Sequence, residues 1–268
     1  MAKARVLVVL PTLGERQAFL EDALKSFQAQ GEIADCVVVA PDREEIKALA
    51  QRFGATWLED PATGLPAAVN VGLTARVDHE FYAWLGDDDL LRPLGLRRLA
   101  SLLDLNEDAV LAYGGCDYIL RDGQVVAVSN AGKVARFLLP WGPNLIPHPA
   151  TLIRFDDLEA VGGFDESLKF ALDLDAFLKL RKRGRFLSTT QTVAAFRWHS
   201  QSLTVSNRRE SNAEAVAVKK RHLPPFLRPL HFIWNYPVAW ASALAAEALG
   251  QRVKRKAEKA ADSNLSDS

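Results

Sequence analysis

Aliphatic runs alternate with amphipathic segments along residues 1–106. The runs "RVLVVLP", "DCVVVA", "TWLED" and "FYAWLG" predict four strands. The first two are apolar at almost every position, which is typical of strands buried on both faces. Between the runs, apolar residues recur every three or four positions, as in helices that pack one face on a sheet. This alternation predicts a Rossmann-like α/β fold, a mostly parallel sheet flanked by helices.

The pattern beyond residue 106 contains more strands. The runs "VLAYGGCDYIL", "RDGQVVAVS", "ATLIRF" and "TVAAFRW" predict further strands, with a hairpin turn at "RDGQ". Helices are expected over Leu172–Gly184 and over "SNRRESNAEAVAVKKRH". We therefore predict one domain over 1–205, with halves 1–106 and 107–205, followed by a helical C-terminal extension with a polar tail over 206–268.

Charge and cysteine content narrow the possible functions. Lys plus Arg and Asp plus Glu both number 33, so a formal net charge of zero argues against a nucleic-acid partner. The apolar run that ends at Pro11 is too short for a signal peptide, and no run approaches the roughly 20 apolar residues of a membrane span. Cys36 and Cys116 both lie in strand-like runs, which predicts reduced thiols in a cytoplasmic protein.

Three adjacent aspartates, Asp87, Asp88 and Asp89, follow the fourth predicted strand, and we call them the acidic triplet. Ligands in parallel α/β sheets bind beyond the carboxyl ends of strands, where Thr12 and Asp42 are also expected. The triplet could cap the next helix or hold Mg²⁺ or Mn²⁺, and three carboxylates exceed what one cap needs. Neither GxxxxGK[ST] nor GxGxxG is present, so phosphates would be held by the ion and by side chains.

Four motifs in order resemble a family 2 glycosyltransferase with the GT-A fold. They are "VLVVLPT" with its helix, "WLGDDDLL", "GGFDESLKFALDLDAF" and "FRWHSQS", and together they cover roughly residues 5 to 205. The resemblance implies an inverting, metal-dependent transferase that uses Mn²⁺ or Mg²⁺. Its donor would be a nucleotide-diphosphate sugar, with a UDP-sugar favoured. Its acceptor would be a glycan or a lipid-linked molecule, in bacterial-type glycan, polysaccharide or glycolipid synthesis.

The resemblance also implies roles for individual residues. The metal ligands would be Asp89, Asp87 and His199, although a lone histidine is often structural. The general base would be Asp173 at the start of a helix, a position where aspartate is also a common cap. Leu172 stands before it where many relatives have Glu, and Asp175 is an alternative base. The residues implied to border the donor are Pro11, Thr12, Glu15, Asp42, Asn70, Gly72, Asp87 and Asp88.

Further residues are candidates for the acceptor and for a membrane surface. His148 is expected to line the acceptor side, and Trp141 or Trp198 could stack on a sugar or pack in the core. The segment 223–259 combines aromatic and basic residues. It suits a peripheral contact with the inner face of the cell membrane, packing on the catalytic domain, or a homodimer contact.

Two other classes of function stay open. A sugar nucleotidyltransferase would also use an α/β sheet and magnesium, but it usually needs a Gly-rich, Arg-bearing loop where this chain has "PTLGERQ". A non-catalytic module that binds nucleotide sugars or glycans is favoured only by the missing Glu before Asp173. A phosphohydrolase is disfavoured because no DxDx[TV] follows the first strand.

Overall fold

Strands and helices alternate along most of the chain in the computed structural model, which describes residues 3–129, 132–198, 207–230 and 233. The strands are β1 Val6–Pro11, β2 Ala34–Ala40, β3 Thr56–Glu59, β4 Phe81–Trp84, β5 Leu90–Leu91, β6 Ala109–Ile119, β7 Val125–Ser129, β8 Thr151–Arg154 and β9 Arg185–Arg197. The α-helices are α1 Gln17–Gln28, α2 Glu44–Arg52, α3 Leu65–Leu73, α4 Gly95–Asp104, α5 Val134–Leu138, α6 Phe155–Ala160, α7 Leu172–Leu180 and α8 Arg208–His222. Short 3-10 turns lie at Gly31–Ile33, His148–Ala150 and Pro225–Leu230.

The described strands form one sheet in the order β3-β2-β1-β4-β8-β6-β9-β5, with β7 paired to β6. Strands β1 to β4 are parallel to one another. Strand β8 is antiparallel to both of its neighbours, and β6 is parallel to β9. The predicted α/β fold is therefore confirmed, with the parallel strands concentrated in the first half and a mixed arrangement in the second.

Strand β1 is buried on both faces, as its unbroken apolar run predicts. Val6, Val8 and Leu10 belong to the apolar cluster that contains residues of α1, α2 and α4. Leu7 and Val9 belong to the cluster on the opposite face, which contains residues of α3 and α7. Successive side chains of a strand point to opposite faces, so one apolar run contributes to two cores.

Helix α4 begins two residues later than its sequence suggests. Proline is favoured in the first turn of a helix, but Pro93 precedes this one, because Leu94 has a left-handed backbone (φ 59°) and the helix starts at Gly95. A Cβ atom at Gly95 would lie 2.4 Å from the backbone oxygen of Val193 in β9. Glycine is therefore needed where this helix meets the sheet.

The second half contains elements that periodicity did not reveal. Strand β9 begins at Arg185, well before the predicted "TVAAFRW". Its first residues pair with β6, but they mix polar and apolar side chains and form no recognisable apolar run. The short helices α5 and α6 were also missed, as was β5 in the first half. The hairpin turn at "RDGQ" is confirmed, since the N–H of Leu120 donates to the carbonyl of Gln124 at 2.9 Å and β6 pairs with β7.

Helix α8 packs against α7, and its Val218 is buried together with Leu223, the residue that follows the helix. Of the predicted contact segment 223–259, the structure describes 223–230 and 233. In that part Phe226, Leu230 and Ile233 are exposed. Within the described ranges, no helix is both long enough and apolar enough to cross a bilayer.

Candidate active site

Strands β1 and β4 bring the first candidate residues together. The two strands are parallel neighbours, so Thr12 after β1 and the acidic triplet after β4 lie at the same edge of the sheet. The hydroxyl of Thr12 donates to Oδ2 of Asp87 at 2.6 Å and accepts the N–H of Gly14 at 2.9 Å. Thr12 and Asp87 are both buried, and Pro11 is buried at the end of β1.

Arg16 forms ion pairs with the first two carboxylates of the triplet. Its Nη2 atom lies 2.6 Å from Oδ1 of Asp87, and its Nη1 atom lies 2.9 Å from Oδ2 of Asp88. Burial raises the pKa of Asp87, whereas the hydroxyl of Thr12 and the guanidinium lower it. The sequence did not identify Arg16, because its partners lie more than 70 positions away along the chain.

Asp89 is the most buried member of the triplet, with 1% of its surface exposed. Its Oδ1 atom accepts the backbone N–H of Arg197 at 3.1 Å. The buried guanidinium of Arg197 donates to the backbone carbonyl of Asp88 at 3.0 Å and so stabilises the turn that carries the triplet. Burial, together with the neighbouring carboxylates of Asp88 and Asp87, raises the pKa of Asp89 well above its ordinary value.

His148 lies against the other oxygen of Asp89. Its Nε2 atom is 3.7 Å from Oδ2 of Asp89, and its ring packs on Trp84 with the centroids 4.2 Å apart. Burial lowers the pKa of His148 to about 4, so the imidazole is neutral at neutral pH. Within the described part of the chain, its buried Nε2 atom has no hydrogen-bond partner.

These residues fit a divalent cation in part. A carboxylate oxygen of Asp89 and an unpartnered neutral imidazole nitrogen of His148 are both suitable metal ligands. Asp87 could become a further ligand only after Arg16 moves away, since the guanidinium now pairs with its Oδ1 atom. Among the residues described, no three His, Cys, Asp or Glu side chains converge as a preformed cluster. The predicted ligand His199 lies outside the described residues.

Asp173 lies in the first turn of α7. Its Oδ1 atom accepts the N–H of Leu174 at 2.7 Å, and its Oδ2 atom accepts the side-chain amide of Asn144 at 3.1 Å. Burial raises the pKa of Asp173 to about 6, although these N–H groups lower it. A carboxyl group with this pKa is ionised at neutral pH and is still basic enough to accept a proton.

The segment 139–150 connects the acidic triplet with Asp173. Asn144 binds Asp173, and His148 lies against Asp89. His148 follows Asn144 by four positions, so their Cα atoms are at most about 14 Å apart. The structure thus places the two aspartate sites, predicted from distant parts of the sequence, at the two ends of one short segment.

Asp175, the alternative base, is engaged in ion pairs. It is completely buried, and it contacts Arg221 at 2.5 Å, His222 at 2.6 Å and Lys179 at 2.9 Å. Burial alone would raise the pKa of Asp175, but these partners hold it well below its ordinary value. Asp175 therefore joins α7 to α8 and is not placed to accept a proton from a substrate.

Other predicted donor residues lie in less enclosed places. Glu15 is exposed, and Asp42 is exposed and paired with Lys47 at 2.6 Å. Asn70 holds the "GGFDE" segment, because its amide donates to the carbonyl of Phe164 at 2.8 Å and accepts the N–H of Phe164 at 3.0 Å.

Gly72 is buried against β1, where an added Cβ atom would lie 2.3 Å from Val9. Trp141 is 38% exposed on the segment 139–150. Trp198 follows β9, and its ring meets that of Tyr118 edge-on. A role in binding the donor or the acceptor stays a prediction for these residues.

The sheet order and the flanking helices define a GT-A fold. Several solved structures of glycosyltransferases with this fold are similar to the chain. One such structure is a mannosyltransferase from Pyrobaculum calidifontis in complex with GDP-Man and Mn²⁺, with 20% identity, a TM-score of 0.65, and coverage of 97% of this chain and 81% of that one. Another is residues 1–349 of TarS from S. aureus with UDP-GlcNAc, at 16% identity and a TM-score of 0.64, covering 84% and 69%. These likenesses establish the fold.

A curated protein of Rickettsia prowazekii (strain Madrid E), named as an uncharacterized glycosyltransferase, is also similar in sequence. The two are 23% identical over 212 residues, which is 74% of this chain and 65% of that protein. The match therefore spans slightly less than two thirds of the relative. No protein-family model matches the chain.

Proposed function

We propose that this protein is a glycosyltransferase, which moves a sugar from a nucleotide-diphosphate sugar to an acceptor hydroxyl with inversion at the anomeric carbon. The observation that carries the proposal is the segment 139–150, whose Asn144 binds Asp173 and whose His148 lies against Asp89 of the acidic triplet. The GT-A fold and the similarity to a protein named as a glycosyltransferase support it.

The donor would bind where β1 and β4 end, with its diphosphate near Thr12 and the acidic triplet. Mn²⁺ or Mg²⁺, when bound, supplies positive charge that stabilises the leaving diphosphate. The residues that would hold the ion are Asp89 and His148, with Asp87 once Arg16 has moved, and His199 remains a predicted ligand. The similar structures carry UDP-GlcNAc in one case and GDP-Man with Mn²⁺ in the other, which supports this class of donor.

Asp173 would act as the general base. As the acceptor oxygen bonds to the anomeric carbon, its proton passes to a carboxylate oxygen of Asp173, and the bond between that carbon and the diphosphate breaks. The amide of Asn144 and the N–H of Leu174 fix the orientation of the carboxylate. The raised pKa of Asp173 favours an enzyme over a non-catalytic binding module.

The acceptor and the cellular setting belong to the proposal as predicted from the sequence. The acceptor would be a glycan or a lipid-linked molecule, with a UDP-sugar as the favoured donor. Exposed Phe226, Leu230 and Ile233 are compatible with a peripheral membrane contact through 223–259 in a cytoplasmic protein. A homodimer remains a prediction.

Binding and turnover can be tested separately. Thermal melting of the purified protein would be measured with UDP, GDP, UDP-GlcNAc and GDP-Man, each with and without MnCl₂. We expect a metal-dependent rise in melting temperature with at least one nucleotide, because a ligand that binds the folded state stabilises it. The rise should disappear in Asp89→Asn and persist in Asp173→Asn, which should lose donor turnover. A folded protein that responds to none of these compounds would contradict the donor site.

A further inference from the structure

Helix α8 holds the backbone that leads into α7. The carboxylate of Glu214 accepts three successive backbone N–H groups, those of Lys169 at 2.8 Å, Phe170 at 2.6 Å and Ala171 at 2.7 Å. Ala171 is the residue that caps α7, and Asp173 follows two positions later. Hydrogen bonds to an ionised carboxylate are shorter and stronger than neutral ones, so Glu214 fixes the approach to the first turn of α7.

The same helix holds the segment that carries Asn144. The ammonium group of Lys219 donates to the backbone carbonyl of Gly142, and the side chain is only 7% exposed. Burial lowers the pKa of Lys219 to about 8, but the group remains mostly charged at neutral pH. Gly142 precedes Asn144 by two residues, so α8 reaches both members of the Asn144–Asp173 hydrogen bond.

A separate contact attaches α8 to α7 without involving these two residues. Arg221 and His222 both bind the buried carboxylate of Asp175, and Val218 is buried. This attachment would persist when Glu214 or Lys219 is changed. The contacts of Glu214 and Lys219 can therefore be tested without detaching the helix.

We infer that Glu214 and Lys219 are positioning residues, which act from α8 on the two sides of the base Asp173. Helix α8 lies beyond the predicted transferase domain 1–205, and its sequence carries none of the four motifs. The inference rests on the proposed function, because it assigns these residues to the step that Asp173 performs.

Loss of these contacts is expected to change the pKa of Asp173. The amide of Asn144 lowers the pKa of Asp173, and the N–H groups of Asp173 and Leu174 do the same. Without the contact between Lys219 and Gly142, the segment that carries Asn144 loses an anchor and this hydrogen bond weakens. Among the described residues of α8, Glu214, Lys219, Arg221 and His222 are the charged or titratable groups that make these contacts, and each is engaged as described.

The variants Lys219→Met and Glu214→Gln would be compared with Lys220→Met, an exposed neighbour on the same helix. The carboxyl ¹³C signal of Asp173 would be titrated by NMR in the full-length protein, a measurement that needs no donor or acceptor. We expect the midpoint of Asp173 to rise in Lys219→Met and to stay at the wild-type value in Lys220→Met. An unchanged midpoint in Lys219→Met, with the folded spectrum retained, would overturn the role of Lys219.

Turnover supplies the second measurement. We expect kcat for the donor to fall about 10- to 100-fold in Glu214→Gln and in Lys219→Met, because small displacements of a catalytic group cost this much. Binding of the nucleotide diphosphate with MnCl₂ should stay at the wild-type level. Variants that melt earlier but keep wild-type kcat and pH profile would show a purely structural role and overturn the inference. Full turnover in Asp173→Asn would instead contradict the proposed function.

Discussion

The Nε2 atom of His148 lies 3.7 Å from Oδ2 of Asp89, and neither hydrogen bond nor ion pair joins the two groups. A distance of this size is too long for a hydrogen bond. Adjacent octahedral ligands about 2.1 Å from an ion are about 3.0 Å apart, so the two atoms would have to approach by less than about 1 Å to share a cation, as the proposed function requires. The acidic triplet therefore has two different sides: Asp89 lies against His148, and Asp87 and Asp88 pair with Arg16.

A substitution at His148 tests this pairing. His148→Phe keeps a ring on Trp84 and removes the nitrogen. We expect the apparent affinity for Mn²⁺ in the presence of a nucleotide diphosphate to fall on the order of 10-fold or more. The measurement is a MnCl₂ titration followed by thermal melting, with the metal-free melting temperature as the control for folding. Wild-type affinity in a folded His148→Phe would remove His148 from the metal site.

Arg16 provides a second test, because it pairs with both Asp87 and Asp88. Arg16→Met leaves two adjacent, mostly buried carboxylates without their cation, and we expect a loss of about 1–3 kcal/mol in the free energy of unfolding. MnCl₂ should restore more stability to this variant than to the wild type, since the ion then has both carboxylates available. Urea unfolding with and without MnCl₂ measures both quantities.

An exposed arginine supplies the control for that experiment. Arg97→Met changes the same residue type on α4, away from the triplet. It should leave both the stability and the response to MnCl₂ at wild-type values. If Arg16→Met behaves in the same way, the guanidinium has no role in neutralising the triplet.

The sequence predicted the features that depend on the local pattern of apolar and polar residues. The apolar run of β1 predicts a strand buried on both faces, because every position of the run is apolar. The place of Asp87, Asp88 and Asp89 at the end of β4 follows from the order of strands and helices. Strand β9 shows the limit of such patterns, since its first half mixes polar and apolar residues and is recognised as a strand only from its pairing with β6.

Partners that are distant along the chain could not be predicted in the same way. Asn144 meets Asp173 across 29 positions, and Glu214 meets Ala171 across 43. Hydrophobic periodicity reports which face of an element is buried, but it does not report which polar side chains meet. For the same reason, the sequence left Asp175 open as a base, while the structure pairs it with residues of α8.

The role of Asp175 in the fold leads to a third prediction. Asp175→Asn leaves Lys179 and His222 without this carboxylate and leaves Arg221 paired with Asp165 alone, and we expect a loss of about 1–3 kcal/mol in the free energy of unfolding. The matched control is Asp156→Asn, an 87% exposed partner of Arg76, which should cost less than about 1 kcal/mol. Equal losses in the two variants would mean that the buried ion pairs do not anchor α8.

The pH dependence of turnover is the fourth prediction, and it follows from the raised pKa of Asp173. A general base must be ionised, so kcat should fall as the pH drops through about 6, the pKa of this carboxyl group. A pH profile of donor turnover, taken at saturating donor and MnCl₂, measures the midpoint. A midpoint near the ordinary value of 3.8 would show that burial does not perturb the base.

Because its pKa is raised, the ionised carboxylate of Asp173 lowers the free energy of unfolding at neutral pH. This leads to the last prediction. Its folded-state pKa is raised from 3.8 to about 6, so the folded protein holds this proton more tightly than the unfolded chain does. Below pH 4 the carboxyl group is neutral in both states and does not lower the free energy of unfolding. As the pH rises toward 6 the free energy of unfolding declines, and above pH 6 the whole loss is present. Asp173→Asn removes the charge and keeps a partner for Asn144.

We expect Asp173→Asn to raise the free energy of unfolding at pH 7 by up to about 3 kcal/mol. The gain should shrink as the pH is lowered from 6 to 4, because the wild-type carboxyl group is then neutral as well. Urea unfolding of both proteins across this range measures the difference, with Asp156→Asn as an exposed carboxyl control. A difference that does not vary with pH would contradict the raised pKa. A gain in stability coupled to a loss of turnover would be the behaviour of a buried base kept for its chemistry at the expense of the fold.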